Sequence, residues 1–219
     1  PVDPNEWFMT PQTVNAYYYS LQNSITFPAA ILQPPFFNLA ADDAVNYGAI
    51  GSVIGHEIGH GFDDNGSQFD GDGRLENWWT DADRAAFEKL TGALIEQYDG
   101  FEVLPGVAVS GTLTQGENIG DLAGVSIAYQ AYQKSLGGRP APVIDGYTGD
   151  QRFFIGLAQA FLSKSRDERK RRLVKIDTHS PDEFRVNGTL SNIPAFYTAF
   201  DVKESDALYL PPERRVKIW

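Results

Sequence analysis

Two histidines spaced four residues apart are the side chains of this sequence with the clearest capacity for chemistry. His56 and His60 belong to an H-E-x-x-H motif in which Glu57 follows the first histidine, and the 219-residue chain has one other histidine, His179. Residues four apart lie on one face of an α-helix, so both imidazoles can bind a single zinc ion. Glu57 can then take a proton from a water molecule on that ion. The alternative is that both are ordinary core or solvated histidines of a helix.

A catalytic zinc site uses three protein ligands and keeps one position open, so the motif needs a third ligand from elsewhere. The extended three-histidine pattern requires a histidine at position 66, where this chain has Gly66, and the chain has no cysteine. His179 or a downstream carboxylate therefore remains. Glu117 and Asp121 lie four apart on a predicted helix, so one could bind the metal while the other orients a ligating histidine. An acid at a helix N-terminus and a surface aspartate are the alternative.

A further acidic stretch follows the motif. Asp63, Asp64 and the segment 70–73 do not have the ligand spacing of an EF-hand loop, and the second segment is typical of turns. Asp63 could support the metal site as an additional hydrogen-bond partner of a ligand.

The composition restricts the class of protein. Hydrophobic residues make up 42% of the chain, which favours a globular core. With 18 basic and 29 acidic residues the net charge is −11, which argues against a nucleic-acid binder. No apolar run approaches the roughly 20 residues that span a bilayer, so we expect no membrane segment in this chain. It shows no signal peptide and begins without methionine, so we expect a processed product or an excised piece.

The elements that must position these side chains are mostly helices. The stretch 14–32 is typical of two strands, with Pro28 restricting the second to a sheet edge. Five glycines in the motif helix predict a buried helix that uses them for close packing. The basic run 164–172 indicates a solvated helix face. We predict a single α+β domain over 1–219, mainly α-helical with a small edge sheet, and helices at 42–62, 80–98, 115–136, 150–163 and 191–200.

The sequence resembles the catalytic part of the neprilysin-type (M13 family) zinc endopeptidases, and among them the bacterial-type oligopeptidases. The resemblance implies a zincin (thermolysin-like) fold, one Zn²⁺ per chain, and hydrolysis of internal peptide bonds of oligopeptides. It is compatible with an extracytoplasmic or a bacterial cytoplasmic location. Matching segments occur along almost the whole chain, at 14–18, 31–37, 55–64, 116–121, 177–181, 185–188 and the final Trp219.

The resemblance also implies a role for each matching catalytic residue. Glu57 corresponds to the general base that activates a zinc-bound water. Asp121 corresponds to the acid that orients a zinc-bound histidine, and His179 to the residue that stabilises the transition-state oxyanion. The zinc ligands correspond to His56, His60 and Glu117.

Substrate-binding residues are implied in the same way. Asn15 and Ala16, predicted on the edge strand, would pair with the peptide main chain, and Arg185 would hold the backbone beyond the cleaved bond. A hydrophobic pocket would favour a hydrophobic residue after the scissile bond, and its residues would be Ile31, Phe36, Val53 and Phe161. On the residues alone, a surface salt bridge for Arg185 and core packing for Ile31 and Phe36 are the alternatives.

The sequence departs from the family pattern in its length. Members of the family are much longer, and a large helical cap domain precedes their catalytic part. That domain is not in this sequence and would be a partner of this chain. A second hypothesis is therefore a catalytically inactive truncated zinc-binding fragment that serves as a peptide-binding or structural module.

Overall fold

Helices form about half of the protein and strands only a small part in a computed structural model, which describes residues 2–3 and 5–219. This content confirms the prediction of a mainly helical α+β fold. Over these residues, none of the helices is both long and apolar enough to cross a membrane. The helices are α1 (Asp43–Asn46), α2 (Ser52–Gly59), α3 (Asp81–Asp99), α4 (Gln115–Ser135), α5 (Gly149–Ala160), α6 (Asp167–Ile176), α7 (Asp182–Leu190) and α8 (Pro194–Phe200). The strands are β1 (Tyr17–Tyr19), β2 (Ser24–Thr26), β3 (Glu102–Leu104) and β4 (Val107–Ala108).

The H-E-x-x-H motif lies in one continuous helical segment. It consists of α1, a π-helical stretch (Tyr47–Gly51), α2 and a 3-10 turn (His60–Phe62). The Asp42 side chain accepts a hydrogen bond of 3.1 Å from the Ala44 N–H and caps the N-terminus. The predicted helix over 42–62 is confirmed at both ends.

Glycines bring α2 and α4 together almost backbone to backbone. A Cβ added at Gly55 would lie 2.8 Å from the carbonyl oxygen of Gly124, and one at Gly124 would lie 2.5 Å from the carbonyl oxygen of Ser52. Neither position has room for a larger side chain. The interpretation that the motif helix is buried and uses glycine for close packing is confirmed.

Aromatic side chains fill the main core between α3, α4, α5, α7 and α8. Tyr98, Tyr132, Phe153 and Phe154 are almost completely buried. A smaller apolar cluster of Ala16, Ile31 and Ile50 lies beside β1 and the π-helical stretch. The H-E-x-x-H motif therefore lies on a helix packed on several sides.

The strands are shorter than predicted. β1 and β2 pair in antiparallel fashion, with Tyr17 opposite Thr26, but the chain leaves the sheet before Pro28. Residues Ala29–Ile31 form a 3-10 turn where we predicted a strand to residue 32. Proline has no N–H for the ladder, and its φ of −57° suits a helix start. A second antiparallel pair, β3 and β4, lies between α3 and α4.

Two helices near the C-terminus differ from the prediction. α7 was not predicted, because its residues include valine, asparagine, glycine and threonine, which are weak helix formers. It is stabilised by burial of Phe184, Val186 and Leu190 in the main core. α8 begins at Pro194 rather than at residue 191, since proline suits the first position of a helix.

Candidate metal centre

The two motif histidines and Glu117 meet at one point between α2 and α4. The Nε2 atoms of His56 and His60 lie 3.1 Å and 3.7 Å from the Oε2 atom of Glu117. One potential ligand atom from each of the three residues lies within 4.8 Å of the other two. Glu117 is in the first turn of α4. The structure thus brings together the three predicted metal ligands.

Gly120 allows this approach. A Cβ at this position would lie 2.9 Å from the Cε1 and Nδ1 atoms of the His56 ring. Real Cβ atoms essentially never approach other heavy atoms so closely. The imidazole therefore packs directly against the backbone of α4, one turn after Glu117. Sequence analysis did not identify Gly120 as part of the site.

Each motif histidine is held by a carboxylate at its second ring nitrogen. The Nδ1 atom of His56 lies 2.8 Å from Asp121, and that of His60 lies 2.7 Å from Asp63. Asp63 also accepts backbone N–H groups of Asn65 at 2.8 Å and Gly66 at 2.7 Å, which fixes its orientation. With Nδ1 occupied, both rings present Nε2 to Glu117. The suggested supporting role of Asp63 thus has a geometric basis.

Gly66 shows why the three-histidine pattern does not fit this chain. A Cβ at position 66 would lie 1.8 Å from the carbonyl oxygen of His60. The backbone turns back tightly after the motif, and the Gly66 N–H donates to Asp63. A histidine at position 66 would require a different loop.

Arg185 joins the site from α7. It donates two hydrogen bonds to Asp121, at 2.6 Å and 2.8 Å, in a bidentate pair. Its guanidinium carbon also lies 4.8 Å from the ring centre of Phe161 at the end of α5. Since Asp121 is buried, this arrangement is not an ordinary surface salt bridge.

His179 lies at the mouth of the site on the loop before α7. Its Nε2 atom is 3.2 Å from Glu117, and its Nδ1 atom is 2.9 Å from Asp177. The next residue, Ser180, is buried and donates a 2.7 Å hydrogen bond to Asn118 of α4. This bond ties the loop to the helix that carries Glu117. Sequence analysis had not assigned a role to Asp177 or Asn118, although both lie within the matched segments 177–181 and 116–121.

The charges in the site strongly shift its pKa values. Burial alone would lower the pKa of His56, but hydrogen bonds with Asp121 and Glu117 raise it to about 9. Burial would raise the pKa of Glu117, yet the hydrogen bond from His56 and the histidine charges lower it to about 2. Burial also opposes ionisation of Asp121, but the charge and hydrogen bonds of Arg185 hold its pKa well below the usual range. Burial raises the pKa of Glu57. The site therefore holds several ionised groups in a confined space.

The donor set fits zinc. Two imidazole nitrogens and one carboxylate oxygen are ligands that zinc accepts in catalytic sites, and around a tetrahedral ion they lie about 3.3–3.5 Å apart. The observed separations of 3.1 Å and 3.7 Å from Glu117 are close to that range. A feature of Glu57 also fits a zinc site with a bound water. Its Oε2 atom is buried and has no hydrogen-bond partner among the described residues.

All thirteen predicted site residues line one cavity of about 490 Å³. Further residues of its wall include Tyr18, Ser52 and Asp64. One placement was wrong, since β1 begins at Tyr17, so the two residues predicted to pair with substrate precede the strand. The predicted site residues are Asn15, Ala16, Ile31, Phe36, Val53, His56, Glu57, His60, Glu117, Asp121, Phe161, His179 and Arg185.

Comparison with known proteins agrees with this geometry. The sequence model of peptidase family M13 matches residues 15–216. The chain belongs to peptidase family M13. Over its full length it is 44% identical to Neprilysin-11 of Caenorhabditis elegans and 42% identical to the neutral endopeptidase of Lactococcus lactis. The prediction of a neprilysin-type relationship is confirmed.

A solved structure of another M13-type enzyme has the same fold. The zinc metalloprotease Zmp1 of Mycobacterium tuberculosis, in complex with an inhibitor, is 61% identical and superposes with a TM-score of 0.98 over the whole chain. The chain spans 26% and 33% of the length of the two curated relatives and 34% of the Zmp1 chain. It therefore corresponds to about a quarter to a third of these M13 proteins.

Proposed function

We propose that this chain is the catalytic part of a zinc endopeptidase that hydrolyses internal peptide bonds of oligopeptides. The observation that carries this proposal is the shared cavity, in which the metal-binding group, Glu57 and a set of substrate-binding side chains face one another. Membership in family M13 supports the same reaction class. No feature of the described residues favours the alternative of an inactive binding module.

The proposed cofactor is one Zn²⁺ ion held by His56, His60 and Glu117. When bound, zinc supplies Lewis acidity and lowers the pKa of a coordinated water to about 7. The roles of Asp63 and Asp121 are to fix the two imidazole rings so that their Nε2 atoms face the metal position.

Glu57 is the proposed general base. Its buried carboxylate has one oxygen without a partner among the described residues, so that oxygen can accept a proton from the attacking water. The raised pKa, which is caused by burial, makes it a stronger base than an exposed glutamate. The same carboxyl group can then deliver the proton to the leaving amine.

His179 is the proposed donor that stabilises charge on the peptide carbonyl oxygen. Its Nδ1 atom lies 2.9 Å from Asp177, and its Nε2 atom lies 3.2 Å from Glu117 in the cavity. An Nε2–H group in this position can donate to the oxyanion. Because the ring is partly exposed, a substrate can reach it.

The remaining cavity wall defines the proposed substrate. Asn15 is exposed beside β1, where an extended peptide can pair with the main chain. Arg185 can contact the peptide backbone while Asp121 holds its guanidinium. Six apolar side chains also line the cavity, so we propose a preference for a hydrophobic residue after the cleaved bond; they are Ile31, Phe36, Val53, Val125, Leu157 and Phe161.

Replacement of the proposed base tests the mechanism. Glu57→Gln should retain one zinc per chain, because the ligands are unchanged, but lose hydrolysis by about 10²- to 10⁴-fold. The measurements are metal analysis and cleavage of a quenched oligopeptide with an internal hydrophobic residue. The exposed Glu96 of α3 gives a matched control, Glu96→Gln, which should keep full activity.

Two outcomes would contradict the proposal. Full activity in Glu57→Gln would exclude this residue as the base. A zinc-loaded wild-type chain that binds the peptide without cleaving it would support the inactive binding module instead.

A further inference from the structure

A chain of buried hydrogen bonds joins the loop that carries His179 to the helix that carries Glu117. The Ser180 hydroxyl donates to Oδ1 of Asn118 at 2.7 Å, and Nδ2 of Asn118 donates to the Thr114 hydroxyl at 2.9 Å. Ser180, Asn118 and Thr114 are only 2%, 1% and 3% exposed. Loss of either hydrogen bond would therefore leave a buried polar group without its partner.

The direction of these hydrogen bonds is fixed. A hydroxyl group has one proton, and Thr114 donates its proton to the carbonyl oxygen of Ser110 at 3.0 Å. Thr114 therefore accepts from the amide nitrogen of Asn118, which turns the amide oxygen of Asn118 toward Ser180. The Ser180 hydroxyl supplies the donor that this buried oxygen needs.

The bond between Ser180 and Asn118 lies beside both functional side chains. Ser180 directly follows His179, and Asn118 directly follows Glu117. Over residues 2–3 and 5–219, the one other polar contact between the loop 177–181 and α4 is that of the His179 ring with Glu117. Because Glu117 is a proposed metal ligand, the bond between Ser180 and Asn118 is the link that does not involve the metal centre.

Helix stability does not explain an asparagine at position 118. Asparagine is a weak helix former, and its amide loses its hydration when it is buried. An apolar side chain at this position of α4 would avoid both costs. A fully satisfied buried amide instead fixes one arrangement of the elements that it joins, so Asn118 is suited to hold the loop at a defined place on the helix.

We propose that Asn118 is a positioning residue, which acts through Ser180 to hold His179 where it can stabilise the oxyanion. The inference rests on the proposed function, because it takes from there the role of His179 as the oxyanion donor. Asn118 itself does not line the catalytic cavity. Loss of an oxyanion donor lowers kcat by about 10²- to 10³-fold, so displacement of the donor should cost less, about 10- to 100-fold.

Ser180→Ala tests this inference, because it removes the hydroxyl donor and leaves α4 unchanged. For a quenched oligopeptide, kcat should fall by about 10- to 100-fold with little change in KM. The variant should also retain one zinc per chain, since the three proposed ligands are intact. Steady-state kinetics and metal analysis are the measurements.

A phosphinic peptide distinguishes a misplaced oxyanion donor from a damaged binding site. Its tetrahedral phosphorus group resembles the transition state, so Ser180→Ala should weaken its binding by the same factor as kcat. Binding of an uncleaved peptide to the zinc-loaded Glu57→Gln chain should not change when Ser180→Ala is added. An equal loss of affinity for both peptides would overturn the inference.

Ser191 supplies a matched control. It is also buried, and its hydroxyl donates to the Gly188 carbonyl oxygen at 2.8 Å and accepts from Gln97 at 2.9 Å. Ser191 does not line the catalytic cavity, so Ser191→Ala should lower stability as Ser180→Ala does but leave kcat unchanged. An unchanged kcat in Ser180→Ala, or an equal loss of kcat in both variants, would overturn the inference.

A double-mutant cycle assigns the effect to Asn118. Asn118→Ala should lower kcat and the affinity for the phosphinic peptide as Ser180→Ala does. Because the two residues act through one hydrogen bond, the double variant should lose no more than either single variant. Additive losses would show that the two residues act independently, which would contradict the inference.

Hydrogen exchange supplies a readout that needs neither zinc nor turnover. In the zinc-free chain, the backbone amides of residues 177–180 should exchange about 5- to 10-fold faster in Ser180→Ala, and not in Ser191→Ala. Unchanged exchange in Ser180→Ala would show that the bond does not hold the loop, which would also overturn the inference.

Hydrolysis by the zinc-loaded parent chain separates the two proposals. If the parent chain and Ser180→Ala cleave the peptide at the same rate, the positioning role of Asn118 is refuted and the endopeptidase proposal stands. Absence of hydrolysis by the parent chain would contradict both.

Discussion

Two carboxylates, as well as helix packing, fix the orientation of the histidines in the candidate metal centre. Asp121 and Asp63 each contact one motif histidine, and each is itself fixed, by Arg185 and by backbone N–H groups respectively. An imidazole with a fixed Nδ1 partner cannot rotate away from the metal position. At the scale of single residues, these contacts therefore orient both imidazoles toward the proposed metal position.

Asp63 provides the test at this scale. In Asp63→Asn, the amide oxygen can still accept the backbone N–H groups of Asn65 and Gly66, but the carboxylate contact with His60 is lost. We expect zinc affinity to fall by about 10- to 100-fold with little change in folding. Competition with a chromogenic zinc chelator measures the affinity.

The neighbouring turn offers a matched control. Asp70 also accepts backbone N–H groups, from Asp72 and Arg74, but contacts no histidine. Asp70→Asn should leave zinc affinity unchanged. Unchanged affinity in Asp63→Asn would show that the His60 contact does not support metal binding.

Spacing alone predicted some site residues, the family resemblance implied others, and residues that act only through tertiary contacts were assigned no role. The H-E-x-x-H spacing and the pair Glu117 and Asp121 each predict a shared helix face, and the structure shows both. Asp177 and Asn118 act through loop contacts that depend on how α4 meets the segment before α7. A single sequence contains no periodicity from which such contacts could be derived.

At the scale of elements, the contact between α2 and α4 determines the geometry of the site. A Cβ at Gly55 of α2 would lie 2.8 Å from Gly124 of α4, and one at Gly59 would lie 3.2 Å from Gly120 and Ala123. The two helices carry His56 and Glu117, and His60 lies in the 3-10 turn directly after α2. Any increase in their separation would therefore move Glu117 away from the histidines.

Gly124→Ala tests this contact. The added methyl group would lie 2.5 Å from the Ser52 carbonyl oxygen and 2.7 Å from the His56 backbone nitrogen. We expect the free energy of unfolding to fall by about 1–3 kcal/mol, as for other overpacked cores, together with weaker zinc binding. Chemical denaturation and zinc titration are the measurements.

Substitution of a glycine in α3 is a control that distinguishes the effect of close packing from the effect of helix propensity. Gly92 is exposed on α3, and a Cβ there would meet nothing within 4 Å. Gly92→Ala should raise the free energy of unfolding by about 0.5–1 kcal/mol, because alanine favours helix. If Gly124→Ala stabilised the protein in the same way, the proposed constraint at α2 and α4 would be wrong.

The helices with clear apolar periodicity and caps were predicted well, whereas α7 was not. Thr80 and Thr148 accept N–H hydrogen bonds at the starts of α3 and α5, where helices over 80–98 and 150–163 were predicted. α7 has no side-chain cap and weak intrinsic helix propensity, so only its burial in the core explains it. Such stabilisation by tertiary packing cannot be derived from local sequence.

At the scale of the whole molecule, the proposed zinc ion would connect distant parts of the chain. His60 and Glu117 are 57 positions apart, and α3 and the second strand pair lie between them. A ligand that binds only the folded state stabilises it, by about 4 kcal/mol when its concentration is 1,000 times the dissociation constant. Metal binding and global stability should therefore be coupled.

Metal removal tests this coupling. Addition of a zinc chelator to the zinc-loaded protein should lower its melting temperature by several degrees, since 1 kcal/mol corresponds to about 2–4 °C in a chain of this size. Differential scanning calorimetry measures the shift. Glu117→Ala, which we expect to lack bound zinc, should melt at the same temperature with and without chelator.

A chelator-insensitive wild-type protein would show that the ion does not contribute to folding. Stoichiometric zinc in Glu117→Ala would instead refute the assignment of this residue as a ligand. The two results are distinguishable because metal content and melting temperature are measured separately.

The glycine contact between α2 and α4 has a consequence for discrimination among ions. Because the helix backbones already touch, the helices cannot move closer, and the buried partners of His56 and His60 prevent the rings from turning outward. Calcium requires six to eight oxygen ligands at 2.3–2.6 Å, whereas this site presents two nitrogens and one carboxylate at a fixed width. We therefore expect the helix packing, as well as the ligands, to favour a small ion that accepts nitrogen ligands.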